Sequence, residues 1–331
     1  MGLLVLIGMK IDAHVHCNST RNDLLEYGIE NDIRFISIIT DVPEFPSIED
    51  QLKTVVGLKK NYGNHLNFAI SFSCQGWESK KWLEKSLDTI QKSLDMGAVG
   101  VKVWKNIGMS LTDENARYVM LDHPSFEPIF NYLEDNDVVL LGHNGEPKNC
   151  WLPIDEMTVE SDRKYFSAHP EYYMNLHPEI PDYKAQLEAR NNVLKRHPKL
   201  RFVGLHLASL EYDVKEVAAW LDSFPLTMVD LAERIVHIQH QAVTNWQKVH
   251  DFFMQYQNRI IYGTDLITDD ATRNHELEAY LDKRYKMDWD FFANEQSITV
   301  PEIKGTFKGL GLPPTILQKI FHANAKRTYK I

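Results

Sequence analysis

Lys10-Ile11-Asp12-Ala13-His14-Val15-His16 reads as a short β-strand that closes on a pair of histidines. Side chains alternate faces along a strand. Asp12, His14 and His16 are therefore expected on one face, and Ile11, Ala13 and Val15 on the other. Two imidazoles on one face of a rigid strand can grip one metal ion, and imidazole suits zinc, iron, nickel or copper. An isolated His-x-His is a weak signal, because ordinary strand histidines give the same pattern. Its weight depends on whether the rest of the chain repeats the arrangement.

Seven more apolar runs follow, separated by segments of helical spacing. The strand candidates are 35–39, 67–72, 99–104, 138–143, 201–207, 226–230 and 259–264. Helical spacing covers 48–62, 80–96, 126–135, 185–197, 214–224 and 243–256. The helix from Lys80 puts Trp82, Leu83, Leu87, Ile90 and Leu94 on one face, with Gly97 as a C-cap. Alternation of strand and helix predicts a parallel sheet, and eight such units predict a (β/α)8 TIM barrel. The 331 residues leave room for a long rim loop and a helical C-terminal extension from Asp265 to Ile331. No linker separates a second domain, so residues 1–331 are expected to be one barrel domain. An open dinucleotide-binding sheet would carry Gly-x-Gly-x-x-Gly at its first helix, and none is present.

Several of these strands end at their C-terminal edge in a group that can bind metal. The first ends in His14 and His16, the fourth carries Lys102, the fifth ends in His143, the sixth in His206 and the eighth in Asp265. Alternation would align Val139, Leu141 and His143, then Phe202, Gly204 and His206, then Ile261, Gly263 and Asp265. Barrel active sites sit at this rim, built from several strand ends. A catalytic metal wants about three protein ligands and one open position. Bound zinc brings the pKa of water from about 16 to roughly 7. Asp265 could take the proton of that water, and His206 could bind a second ion or polarise a carbonyl. Lys102, if buried, loses its charge readily and could serve as a ligand after modification.

Composition excludes other classes. A net charge of −10 argues against a nucleic-acid partner. Hydrophobic content of 44% supports a large core. Three separated cysteines, Cys17, Cys74 and Cys150, give no disulfide framework and point to a reducing, cytoplasmic setting. The apolar run Leu3–Ile7 is too short to span a membrane. It also lacks the charged start and cleavage site of a signal peptide, and Met9 would begin an equally sensible chain. Flat helical outer faces would support a homodimer.

The set His14-x-His16, Lys102, His143, His206 and Asp265 resembles the amidohydrolase superfamily. The words Gly100–Asn106, Arg201–His206, Tyr262–Asp265 and Ile320–Ala325 resemble its amidohydrolase-2 branch, which includes aminocarboxymuconate-semialdehyde decarboxylase-like enzymes. The resemblance implies that His14, His16, His143 and Asp265 hold one divalent ion, zinc first, with His206 catalytic. In the two-ion pattern a carboxylated lysine at Lys102 bridges, and His143 and His206 hold the second ion. The activity implied is hydrolysis of a small-molecule amide, lactone or ester. Non-oxidative decarboxylation on the same site is the alternative, with Arg234 or Arg163 as the cation for a carboxylate. A metal-stabilised binding protein without activity is the third.

Other residues carry weaker signals. Asp12 is expected one layer below the histidines, as support. Arg234 could clamp a substrate carboxylate or form a surface ion pair. His237 and His240 share a helical face near the rim. Glu146 could reach the pocket. Trp77, Trp104 and Trp151 could wall it, and His169 and His177 lie in the long aromatic loop 144–181, read as a lid.

Overall fold

The computed structural model describes residues 9–272 and 274–331; the apolar run Leu3–Ile7 lies outside them. Nine parallel strands form one sheet. They are β1 (Lys10–Cys17), β2 (Ile33–Ile38), β3 (Leu66–Ser71), β4 (Ala98–Val103), β5 (Leu140–Gly142), β6 (Phe202–Gly204), β7 (Thr227–Asp230), β8 (Ile260–Ile261) and β9 (Leu266–Thr268). Each pairs with its sequence neighbour from β1 to β8, and β9 pairs with β1. The segment between β8 and β9 closes the ring. Leu231 N–H donates to Ile261 O (3.0 Å), Ala13 N–H to Tyr262 O (3.1 Å) and Asp265 N–H to His14 O (2.8 Å). The eighth barrel strand is thus one run broken at Gly263–Asp265, bonded to β7 below and to β1 above. The fold is a TIM barrel.

The pleat sorts the apolar residues into two layers. Ile11, Ala13, Ile36, Ile38, Ala69, Val139, Leu141, Val203, Leu205, Met228 and Ile261 fill the interior, and Tyr329 plugs it from the N-terminal side. Phe35, Phe68, Val101, Val103, Phe202 and Val229 face outward against the helices. The helix Lys80–Asp95 illustrates how these form. Ser79 accepts from Trp82 N–H as its N-cap, Trp82 and Ile90 are buried, and Gly97 with φ +93° ends it.

Two local irregularities shape the C-terminal rim of the barrel. From Asp12 to Val15, β1 advances three residues while β2 advances two, from Phe35 to Ser37, so β1 carries a bulge. And His206, Leu207, Ala208 and Ser209 all have φ between 55° and 57°, a turn of left-handed backbone directly after β6.

The extension past Asp265 is only partly helical. A helix Asn274–Ala293 is followed by a small antiparallel pair, Ser297–Ile298 with Phe307–Lys308, and then by helical turns from Pro314 to Tyr329. The loop 144–181 contains a helix, Glu160–Ala168, and several single turns. These wrap a small core of Cys150, Met157, Phe166, Tyr173 and Met174 around Met109. The segment is therefore a packed cap with its own apolar centre. It is tied to the barrel by Ser209 Oγ–H to Asn144 O (2.9 Å) and by Tyr172 O–H to Glu44 Oε1 (2.7 Å).

Candidate metal centre

The bulge in β1 changes which residues face the axis. Ile11 and Ala13 belong to the barrel interior, whereas Val15 belongs to the outer layer. Strict alternation would leave His14 on the outer side. The extra residue resets the phase, so His14 and His16 follow Ala13 into the interior. Asp12, expected on the histidine face, points the other way. It receives Tyr285 O–H (2.8 Å) from the outer helix Asn274–Ala293 and Thr264 O–H (2.6 Å) and N–H (3.0 Å) from the broken eighth strand. Asp12 therefore clamps the segment that presents Asp265, whose own φ is +65°.

His206 reaches the same place by a different device. Phe202 faces outward, and a Cβ on Gly204 would lie 3.1 Å from Trp220. The expected shared face of Phe202, Gly204 and His206 is the outer one. The left-handed turn swings His206 back over the axis. Non-glycine residues pay ~1–2 kcal/mol each for such backbone, so the turn needs holding. Asp230 Oδ1 accepts His206 N–H (2.5 Å), Arg190 and Tyr183 donate to the carbonyls of Ala208 and Ser209, and His206 Nδ1 meets Ala232 O (2.9 Å).

The donors then converge. Asp265 Oδ1 lies 3.1 Å from His14 Nε2 and 3.1 Å from His16 Nε2. His206 Nε2 is 3.9 Å from Asp265 Oδ2. The rings of His143 and His206 are 4.3 Å apart, and those of His14 and His206 5.0 Å. His143 Nε2 lies 4.0 Å from Glu146 Oε2. Lys102, on the inner face of β4, is 2% exposed. Among the described residues, two groups of donor atoms meet the spacing of an ion site, His14–His16–Asp265 and His14–His206–Asp230. They differ in kind. His14 Nδ1 is bonded to Asp230 Oδ2 at 2.7 Å, so Asp230 orients His14 from behind, as carboxylates do for metal-binding imidazoles. The seventh strand thus supplies a site residue that the sequence reading passed over. Its signal was present, since Met228 and Asp230 alternate inward to a carboxylate at the strand's end.

Electrostatics agree with a donor set. Burial pushes His16 down to about 4 and holds His143 and His206 well below the ordinary histidine range, so these imidazoles are neutral. Burial lowers Lys102 to about 8. Burial would raise Asp265, but the charge of His14 beside it, with a hydrogen bond from His16, holds it well below the usual carboxylate range. Burial also works against the charged form of His14, yet Asp265 and Asp230 carry it to about 9. That crowding of a carboxylate and two imidazole nitrogens fits a cation site. Two ligands on a tetrahedral zinc stand about 3.3 Å apart, given bond lengths near 2.0–2.1 Å. His14 Nε2 lies off the hydrogen-bonding line of Asp265 despite the 3.1 Å separation, and Nε2 of His14 and of His143 are buried without hydrogen-bond partners.

The amidohydrolase family model matches residues 79–331, a span that carries Lys102, His143, His206, Asp230 and Asp265. The chain belongs to the amidohydrolase family. Structures similar to this amidohydrolase include an uncharacterised TIM-barrel protein of Bordetella bronchiseptica (15% identity, 97% of this chain and 98% of that one, TM-score 0.56). Another is 2,6-dihydroxybenzoate decarboxylase of Rhizobium (13% identity, 98% and 99%, TM-score 0.56). A third is 5-carboxyvanillate decarboxylase of Novosphingobium aromaticivorans with bound manganese (12% identity, 98% and 98%, TM-score 0.50). No curated protein matches the chain.

The remaining candidates separate clearly. Arg163 is bound within the cap, to Glu160 and to the carbonyls of Ile154 and Met157. Glu146 is 5% exposed and ion-paired with Lys105, so it belongs to the site's wall. His237 is buried 3.3 Å from Asp162 of the cap helix, and His240 is half-buried beside it. Trp77 packs on Phe126 in the outer core, Trp151 lies in the cap's core, and Trp104 sits under Lys105. His169 and His177 make local contacts with Glu171 and Glu179. Phe45, unmarked in the sequence, lies with its ring centre 5.2 Å from that of His16 and covers the site.

Proposed function

We propose that this amidohydrolase uses one divalent ion, zinc or manganese, held by His14, His16, His143 and Asp265, to hydrolyse an amide, lactone or ester of a small molecule. The observation that carries the reading is the meeting of His14 Nε2, His16 Nε2 and Asp265 Oδ1 at 3.1 Å spacings, with His14 pinned from behind by a buried carboxylate. The ion supplies the Lewis acidity that makes water reactive at neutral pH and polarises a carbonyl.

The chain's own groups do the rest. Asp230 fixes the proton of His14 on Nδ1 and leaves the Nε2 lone pair for the ion. Asp265 Oδ2, the oxygen turned toward His206, takes a proton from the attacking water. His206 Nδ1 meets a carbonyl, which only accepts, so its proton stays on Nδ1 and Nε2 presents a lone pair. His206 therefore receives that proton from Asp265 and hands it to the leaving group. Phe45 and the cap exclude bulk water. Lys102 stands on the strand where, in the two-ion pattern of the resemblance, a carboxylated lysine would bridge, with His143 and His206 to hold the second ion. The three buried free cysteines support a reducing, cytoplasmic setting, and residues 1–331 act as one catalytic unit.

Elemental analysis together with a panel of amides, lactones and esters tests the reading. One ion per chain and net addition of water are expected. Asp265→Asn should lower kcat by a factor on the order of 10²–10⁴. A chain that folds without any bound metal overturns the reading. Carbon dioxide release without addition of water would replace hydrolysis by non-oxidative decarboxylation on the same residues.

A further inference from the structure

Several cations near the centre, outside its donor set, are matched. Lys105 is paired with Glu146, Arg163 with Glu160, and Arg284 with Glu233 and Asp288. The Lys148 ammonium lies 4.0 Å from the centre of the Tyr212 ring. Arg234 is different. One of its guanidinium donors reaches a partner, the carbonyl of the adjacent Glu233 (Nη1, 3.1 Å). Its Nε is buried with no partner, and it makes no ion pair among the described residues. Glu233 itself is drawn away to Arg284 on the outer helix (3.0 Å).

The position of Arg234 is set by the elements that build the centre. It lies four residues after Asp230, which orients His14, and two after Ala232, which holds His206. It occupies the N-cap position of the helix Ile235–Gln255, without a side-chain capping bond. Its charge is felt at His206, and those of Glu211, Asp162 and Glu146 are felt at Arg234. None of the three carboxylates closes on it. Glu211 is fully buried. One of its oxygens takes Lys148 N–H (2.7 Å) while the other, Oε2, has no partner. A half-buried guanidinium with unused donors and a buried carboxyl oxygen without a partner both cost stability. Within electrostatic reach of each other after β6 and β7, they are two polar groups that a ligand would satisfy.

We propose that Arg234 binds a carboxylate of the substrate, so that the molecule acted on is a small carboxylic acid, with Glu211 Oε2 available to a second polar group on it. This rests on the metal-dependent reading of the centre. The planar fork of arginine matches a carboxylate with two parallel hydrogen bonds. Lysine, a point charge, matches it less well.

The test is calorimetric titration of benzoate and succinate against benzamide and succinamide. It uses the full chain, metal-loaded and chelator-treated, as wild type, Arg234→Met and Arg234→Lys. The carboxylates should bind the wild type more tightly than the amides by roughly tenfold or more, in both metal states. Arg234→Met should erase that preference at unchanged metal content and unfolding midpoint, and Arg234→Lys should keep part of it. Equal binding of acids and amides, no binding of either, or a preference that survives Arg234→Met overturns the proposal. Metal content on the same samples judges the underlying reading separately. A chain without metal that still loses its carboxylate preference with Arg234→Met would sink the hydrolase and leave the carboxylate site at Arg234 standing.

Discussion

Asp230 never faces the open side of the centre, yet its two oxygens hold two of the four histidines that meet there, His14 through Nδ1 and His206 through its backbone N–H. Asp230→Asn keeps the shape but can present an amide N–H to His14, which turns the wrong nitrogen toward the ion. Metal affinity should fall about 10–100-fold, read by competition with a chromogenic chelator, while the fold survives. Glu211 supports a pH prediction. Burial raises its carboxyl from 4.5 to about 7, so the folded state favours the protonated form. Between those values the folded chain binds more protons than the unfolded one, and stability falls as pH rises through that window. The loss is ~3 kcal/mol once the pH is above the folded value. Glu211→Gln removes the titration. Chemical denaturation should therefore show the variant gaining on wild type from pH 5 to pH 8, and a pH-independent difference would contradict the assignment. Residue types at strand ends were readable from sequence, because a carboxylate or histidine after an apolar run is conspicuous. The partners that fix them were not. Asp12 was legible as a support and Asp230 as a strand-end carboxylate, but what each one holds, and Glu211 altogether, shows only in tertiary contacts.

At the scale of elements, alternation succeeded for β5 and the eighth strand, where His143 and Asp265 point inward as the pattern requires. It failed in β1 and after β6. A bulge and a left-handed turn are set by pairing across the barrel and by side chains elsewhere, such as Arg190 and Tyr183, and leave no trace in a period of two. The paired segment Ser297–Ile298 and Phe307–Lys308 was missed because two-residue strands are too short to show alternation. The helix Ile235–Gln255 was read from Val243 because buried His237, Gln239 and Gln241 interrupt its apolar stripe. One glycine ties these elements to the site. A Cβ on Gly263 would stand 2.8 Å from His14 Cβ and 3.3 Å from His14 N, so only glycine lets the eighth strand approach β1 closely enough for Asp265 to meet both histidines. Gly263→Ala should cost ~1–3 kcal/mol and lower metal occupancy together. Thermal unfolding and elemental analysis on the same preparation check this, and a destabilised chain with full metal content would show that the contact serves packing alone.

The whole molecule joins a closed ring to a centre that draws on five of its strands, β1, β4, β5, β7 and the broken eighth, and on the turn after β6. Removing one ion therefore acts on the entire barrel. With the cation gone, His14, raised to about 9 by Asp265 and Asp230, and neutral His16 remain crowded against a carboxylate at 3.1 Å, and the seam between β1 and the eighth strand is left to the Ala13–Tyr262 and His14–Asp265 backbone bonds and the β1–β9 pairing. An ion that binds the folded chain and not the unfolded one stabilises it by mass action, ~2.7 kcal/mol when present at a hundred times its dissociation constant. In a domain of this size that corresponds to a fall in Tm of roughly 4–5 °C on chelation. The effect should return with added zinc or manganese and should be small in His14→Ala, which has already lost the ligand at the centre of the cluster. The cap provides an internal comparison. It keeps its own apolar core around Cys150, Phe166 and Met174, touches the centre through Glu146 and is tied to the barrel by the Tyr172–Glu44 bond. Hydrogen exchange after chelation should therefore speed most in β1 and in the segment 262–266, and least in the cap. Uniform acceleration would mean that the ion stabilises the chain as one cooperative unit and that the seam between β1 and the eighth strand is no weaker than the rest.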